Sequence, residues 1–150
     1  MERKKITLAH GNGGRLMHGL IKDLFLKKLN NPILAKLSDS ALLDYKEKLV
    51  FTTDSFVVTP IFFPGGDIGK LCVCGTVNDL VMLGGHPEYL SLALIIEEGL
   101  DYRILEMIVG SIAREAGSCG VRVATGDIKV VERGSADKLF INTSGIGRVK

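Results

Sequence analysis

Apolar positions recur at three- and four-residue spacing between residues 14 and 30: Leu16, Met17, Leu20, Ile21, Leu24, Phe25 and Leu29. That spacing is the period of an amphipathic helix. Lys22, Lys27 and Lys28 fall largely on its other side, and Asn30-Asn31-Pro32 stops it. Residues 33–44 predict a strand ending in an acidic loop with Asp39 and Asp44. Residues 48–59 are rich in β-branched and aromatic residues, and predict a strand interrupted by Asp54. Pro64-Gly65-Gly66 is a turn signal.

A second helix is predicted over 67–83, with Asp67 as its N-cap. It is apolar nearly all round, from Ile68 to Leu83, which predicts burial. Gly84-Gly85-His86-Pro87 ends it, and residues 88–97, EYLSLALIIE, read as a continuous apolar strand. Residues 101–118 predict a third helix with Ile104, Leu105, Ile108, Ile112 and Ala116 toward the core. A strand over 121–131, broken at Gly126-Asp127, and a last strand over 138–149 complete the chain. Helices and strands mix within one domain, residues 1–150, with no internal repeat or linker. Helices of this number cover one face of a sheet and leave the other for a partner.

Composition narrows the function classes. Lys and Arg number 19 against 17 Asp and Glu, a net charge of +2 over 150 residues. Such balance argues for neither a nucleic-acid nor a membrane-surface partner. No stretch approaches the ~18–20 apolar residues of a membrane span, and no apolar secretory region follows the charged N-terminus. A soluble, cytoplasmic protein is expected. Cys72 and Cys74 point about 200° apart on a helix and cannot chelate one metal together. With Cys119 remote, the expectation is buried, reduced thiols.

The 18 glycines cluster, and two clusters bear on chemistry. His10-Gly11-Asn12-Gly13-Gly14 precedes a helix, where close backbone approach and unpaired N–H groups suit an anion. A plain flexible loop is the alternative. Leu16 stands where a dinucleotide fingerprint needs its third glycine. Gly65 to Gly69 is one residue short for a P-loop, and Leu71 replaces its Ser or Thr.

Five aspartates, Asp39, Asp54, Asp67, Asp79 and Asp127, sit at element ends or inside apolar stretches. Buried unpaired carboxylates are costly, so a shared cation is expected, and Mg²⁺ with a polyphosphate fits. Taken singly, Asp67 also reads as a cap, Asp54 and Asp127 as turn residues and Asp39 as solvated. Asp79, mid-helix among apolar residues, has the weakest structural excuse. Lys70 and Lys129 are candidate phosphate contacts or solvated lysines. His10 could assist the glycine loop. No Ser–His–Asp arrangement is present in motif form.

The segments AHGNGG, TTDSFVVTPIFFPGGDIGKLCVCGTVNDLVMLGGHP, IIEEGLD and GDIKVVERGSADKLFINTSGIGRV together resemble a known family. It is the N-terminal domain of the HypE carbamoyl dehydratases of nickel–iron hydrogenase maturation, within the PurM-like (AIR synthase-related) superfamily. The resemblance covers residues 6–149. It implies an α+β (α/β) domain, a mixed sheet with helices on one face and sheets pairing across a homodimer. It implies ATP and Mg²⁺, with Asp39, Asp54, Asp79 and Asp127 at metal–phosphate positions. Gly11, Asn12, Gly13 and Gly14 would fold over the phosphates, with Asp67, Lys70 and Lys129 beside them. Ile128 stands where the family pattern has Thr. The implied reaction dehydrates a carbamoyl group on a C-terminal cysteine to a thiocyanate, the source of cyanide ligands. The implied partners are a HypF-type carbamoyltransferase and a HypC–HypD complex. Such proteins are roughly twice this long, so the chain resembles their first domain alone and is expected not to complete the dehydration by itself. A dimerisation or docking module, or a sister small-molecule phosphotransferase, is the alternative.

Overall fold

The computed structural model describes residues 5–37, 41 and 43–149. The first helix forms where the periodicity places it. α1, Arg15–Leu20, continues through a wider, π-helical segment, Ile21–Leu26, into α2, Lys27–Leu29. Leu20, Leu24, Phe25 and Leu29 enter the core from its inner face. Asn31 then redirects the chain. Its Oδ1 accepts from the Ile33 and Leu34 amides, and its Nδ2 donates to the Val123 carbonyl at 2.8 Å.

This corrects the strand expected over 33–44: among its described residues a 3₁₀ turn, Leu34–Lys36, forms instead. A side chain that satisfies nearby backbone groups offers the chain an alternative to a ladder.

The remaining elements are β1 (Lys48–Phe56), a short β2–β3 hairpin (Phe62–Phe63 and Gly66–Asp67), α3 (Ile68–Met82), β4 (His86–Glu97), α4 (Tyr102–Cys119), β5 (Arg122–Val131) and β6 (Leu139–Val149). Four strands form one sheet in the order β1-β6-β4-β5. β6 is antiparallel to both neighbours, whereas β4 and β5 are parallel. A parallel pair needs a crossover, and α4 supplies it.

Neither expected interruption occurs. β1 runs through Asp54, which pairs with Thr143. β5 runs through Gly126-Asp127, and its irregularity lies earlier. The register passes from Leu90–Val123 to Ser91–Thr125, leaving Ala124 as the extra residue of a bulge.

α3 and α4 cover one face of the sheet. Leu90, Leu92, Leu94, Leu139 and Ile141 pack there with Ile68, Cys72, Leu105, Ile108 and Ile112. Each such side chain contributes about 1.5–3 kcal/mol on burial. Strand alternation turns Leu49, Phe51, Ile95, Phe140 and Ile146 to the opposite face, where Phe51 is 67% exposed. α3 departs from its expected burial. Ile68, Cys72, Val73, Thr76 and Leu80 face inward, but Leu71, Val81 and Met82 are exposed. An evenly apolar helix packed on one sheet leaves an apolar outer stripe.

Candidate functional site

Two neighbouring elements place Asp54 and Asp79 in one groove. Thr52 and Asp54 are two residues apart on β1 and share its helix-facing side. Thr76 and Asp79 are three apart on α3 and share the side facing β1. The four residues bond crosswise. Thr76 Oγ1 donates to Asp54 Oδ2 at 3.1 Å, and Thr52 Oγ1 donates to Asp79 Oδ2 at 3.2 Å. Asn142 Nδ2 donates to the Asp54 carbonyl at 2.8 Å, fastening the backbone as well. In each carboxylate one oxygen is held and the other takes no hydrogen bond among the described residues.

Burial does not set these aspartates apart, contrary to expectation. Asp79 and Asp127 are exposed and Asp54 is half-buried, so burial cost does not demand a shared cation. Among the described aspartates the buried one is Asp67, and its partners are internal. Its Oδ1 accepts from the Gly69 and Lys70 amides, and its Oδ2 accepts from Ser111 Oγ, to which Arg114 also donates. Asp67 is the N-cap of α3. Lys70 is half-buried on the first turn of that helix, beside Gly66. Nine residues of helix, about 13 Å, separate Lys70 from Asp79.

A second group gathers along β5. Thr7, Leu8 and His10 make a tight turn, a 3₁₀ segment at Leu8–Gly11. Buried His10 accepts the Thr7 amide on Nδ1 at 3.1 Å, which leaves the ring a structural fastener of the loop. Gly11 then lies against the strand: a Cβ there would stand 2.6 Å from the Val130 amide nitrogen. Asn12, Gly13 and Gly14 are exposed, Gly13 has φ +75, and α1 starts immediately after. Asp127 and Lys129 are exposed on β5, on the face opposite to buried Ile128 and Val130. Met17, His18, Ile21, Leu92, Thr125, Gly126 and Asp127 help line an adjoining, mainly apolar cavity of about 230 Å³.

The structure therefore brings Asp54 to Asp79, and Gly11 to Val130 of β5, the strand that also carries Asp127 and Lys129. It keeps the two groups apart. β1 and β5 are opposite edges of the sheet, about 14 Å apart at the usual strand spacing. Asp39 lies outside the described residues. Among the described residues no three His, Cys, Asp or Glu side chains are grouped to hold a metal ion. The pair nevertheless suits Mg²⁺, which takes one or two carboxylates and completes its shell with water and phosphate oxygens.

The cysteines are free, with Cys72 buried and Cys74 and Cys119 half-buried. Burial, with the Asp67 charge nearby, pushes the Cys72 thiol up to about 12. No helix among the described residues is long and apolar enough to cross a membrane.

Thr52, Thr76, Thr143 and Ser111 were not singled out from the sequence. The Thr-x-Asp of β1 and the Thr-x-x-Asp of α3 were the available signal, since each spacing puts both residues on one face of its element.

Residues 37–149 match the model of the AIR synthase related protein N-terminal domain. The chain belongs to the AIR synthase related family. Among relatives in that family, "Carbamoyl dehydratase HypE" of Rhodobacter capsulatus is 51% identical over 147 residues, covering 96% of this chain and 43% of that protein. A crystal structure of the hydrogenase maturation protein HypE in complex with ATP superposes with a TM-score of 0.94 at 56% identity, covering 96% of this chain and 43% of that one. A HypE–HypF complex matches with a TM-score of 0.67 at 52% identity, over 87% of this chain and 42% of that one. The chain thus spans less than half the length of the relatives it matches.

Proposed function

We propose that this chain, residues 1–150, is the ATP-binding domain of a carbamoyl dehydratase of hydrogenase maturation. The likeness to the HypE–ATP complex supports the nucleotide. The crosswise-held Asp54 and Asp79 carry the reading, because they offer Mg²⁺ two oriented oxygens and leave room for phosphate. Asp127 would join them on the metal–phosphate unit, and Asp39 by resemblance. The Gly11–Gly14 loop would close on the phosphates with its amides at the start of α1. Lys70 and Lys129 are the cations offered to phosphate oxygens, and Asp67 orients the turn that carries Lys70.

A second copy is part of this reading. The open apolar face suits a like surface. Two sheets stacked about an axis along their strands set the β1 edge of one over the β5 edge of the other. That arrangement sets the edge that carries Asp54 in one copy alongside the edge that carries Asp127 in the other.

In such a site positioning and charge neutralisation do most of the catalysis. Dehydrating a carbamoyl group requires its oxygen to leave, and phosphorylation by ATP makes it a leaving group. The thiocyanate product and its cysteine carrier follow from the resemblance. A HypF-type carbamoyltransferase is the proposed partner, supported by the HypE–HypF likeness.

The test is calorimetric titration with ATP, with and without Mg²⁺, on the wild-type chain and on Asp79→Asn. Mg²⁺-dependent binding that the substitution abolishes is the expected result. Mg²⁺-dependent binding that Asp79→Asn leaves intact would overturn the placement of the metal–phosphate site.

A further inference from the structure

The groove holding Asp54 and Asp79 rests on a chain of hydroxyls that runs into the core. Thr76 is fully buried and Thr143 is 1% exposed. Their Oγ1 atoms lie 2.5 Å apart, although the residues are 67 positions apart in the chain. A hydroxyl has one proton to donate. Thr76 gives its proton to Asp54 Oδ2, so the proton between the two threonines belongs to Thr143. The chain of donation runs from Thr143 through Thr76 to the carboxylate. Gly145, two residues further along β6, lets α3 come this close: a Cβ there would stand 2.8 Å from Thr76 Cγ2 and 2.9 Å from Leu80 Cδ1. On the outer side of the groove the roles reverse, with strand Thr52 donating to helix Asp79.

We infer that Thr76, backed by Thr143, and Thr52 are positioning residues that aim the free oxygens of Asp54 and Asp79 at one shared divalent cation. The inference rests on the reading of the groove as the Mg²⁺–phosphate site and adds what sets its geometry. Each threonine holds the carboxylate of the opposite element, so the two acids keep their separation only while β1 and α3 stay in register. A buried hydroxyl pair that merely satisfied itself would need no acid at its end. Here the chain of hydrogen bonds leaves the core and ends on Asp54 Oδ2.

The experiment uses the protein as its gene encodes it and measures ATP binding by calorimetry at several Mg²⁺ concentrations, beside thermal melts without metal. Thr76→Val is expected to weaken Mg²⁺-dependent ATP binding about tenfold, the lower end for a group that supports a metal ligand. ATP binding without Mg²⁺ is expected to stay unchanged, and Thr76→Ser to return affinity to within about twofold. Thr143→Val, one bond further away, is expected to show a smaller loss of the same kind. Thr52→Val sits at a half-buried surface position and keeps the test available should the core variants fail to fold; it is expected to weaken only the Mg²⁺-dependent binding. Folded Val variants with wild-type Mg²⁺ dependence would overturn the inference. So would equal losses with and without Mg²⁺, which mark a purely structural role. Asp54→Asn serves as the control: if it leaves Mg²⁺-dependent binding intact, the reading of the groove itself fails.

Discussion

The two edges of the sheet carry candidate residues in opposite ways. At the β1 edge, Asp54 and Asp79 are held by threonines of the facing element, above buried hydroxyls and a glycine that admits α3 closely. At the β5 edge, Asn12, Gly13 and Gly14 stand exposed, and the Gly13 amide's contact is the sulfur of Met17 at 3.1 Å. One edge is preorganised and the other can adapt. A cation that demands near-ideal geometry suits the first. A segment that must admit and then enclose phosphates suits the second, because few buried contacts resist its movement.

Substitutions at the two edges should differ in kind. Asp54→Asn is expected to lower Mg²⁺-dependent ATP affinity by about 100-fold or more, whereas Asn12→Ala is expected to lower it less than about tenfold and equally without Mg²⁺. Calorimetry on both variants reads the contrast, and equal Mg²⁺ dependence of the two losses would erase it.

Stability separates the edges next. Gly145→Ala pushes a methyl into Thr76 and Leu80, and is expected to cost about 1–3 kcal/mol in urea unfolding, as overpacking does. The α3 side is also expected to weaken in alkali. Cys72 is held above its ordinary 9.0, at about 12. A thiol raised on folding contributes fully below its unfolded value, and that contribution is lost as pH climbs from 9 toward 12. The loss is about 1.4 kcal/mol by pH 10. Unfolding of wild type and Cys72→Ala at pH 8 and 10 checks it: the variant should lose less stability between the two. Gly13→Ala should matter least to the fold. Its φ of +75 penalises a side chain, but nothing lies within 4 Å of the added methyl. A cost of about 1 kcal/mol is expected in the same urea assay.

Most elements were legible because periodicity is local. The 14–30 helix, the Asp67 cap and the strands at 88–97 and 138–149 all lie where their patterns place them. The 33–44 strand failed because Asn31 satisfies the backbone at Ile33 and Leu34 and also reaches Val123, and only the second contact is invisible in the sequence. α3 failed as a buried helix because apolar content shows what can be buried, and not how much partner surface exists. Breaks at Asp54 and Gly126-Asp127 were expected from residue type. Cross-strand partners overrode that preference, as context routinely does in sheets.

By itself the sequence determined which residues could carry chemistry and which faces of each element they share, since spacing along a helix or strand settles that. It named the aspartates, but the one that is buried among those described, Asp67, finds two helix amides and Ser111 instead of a cation. Only the tertiary structure decided the grouping. Strand order sends Asp54 and Asp127 to opposite edges, and the packing of α3 on β1 pairs Asp54 with Thr76 and Asp79 with Thr52. Those contacts join residues 22 and 27 positions apart, and their hydroxyl support reaches 67 positions along the chain. A local pattern cannot encode such pairings, because they exist only once the register of distant strands has been set by burying their common face.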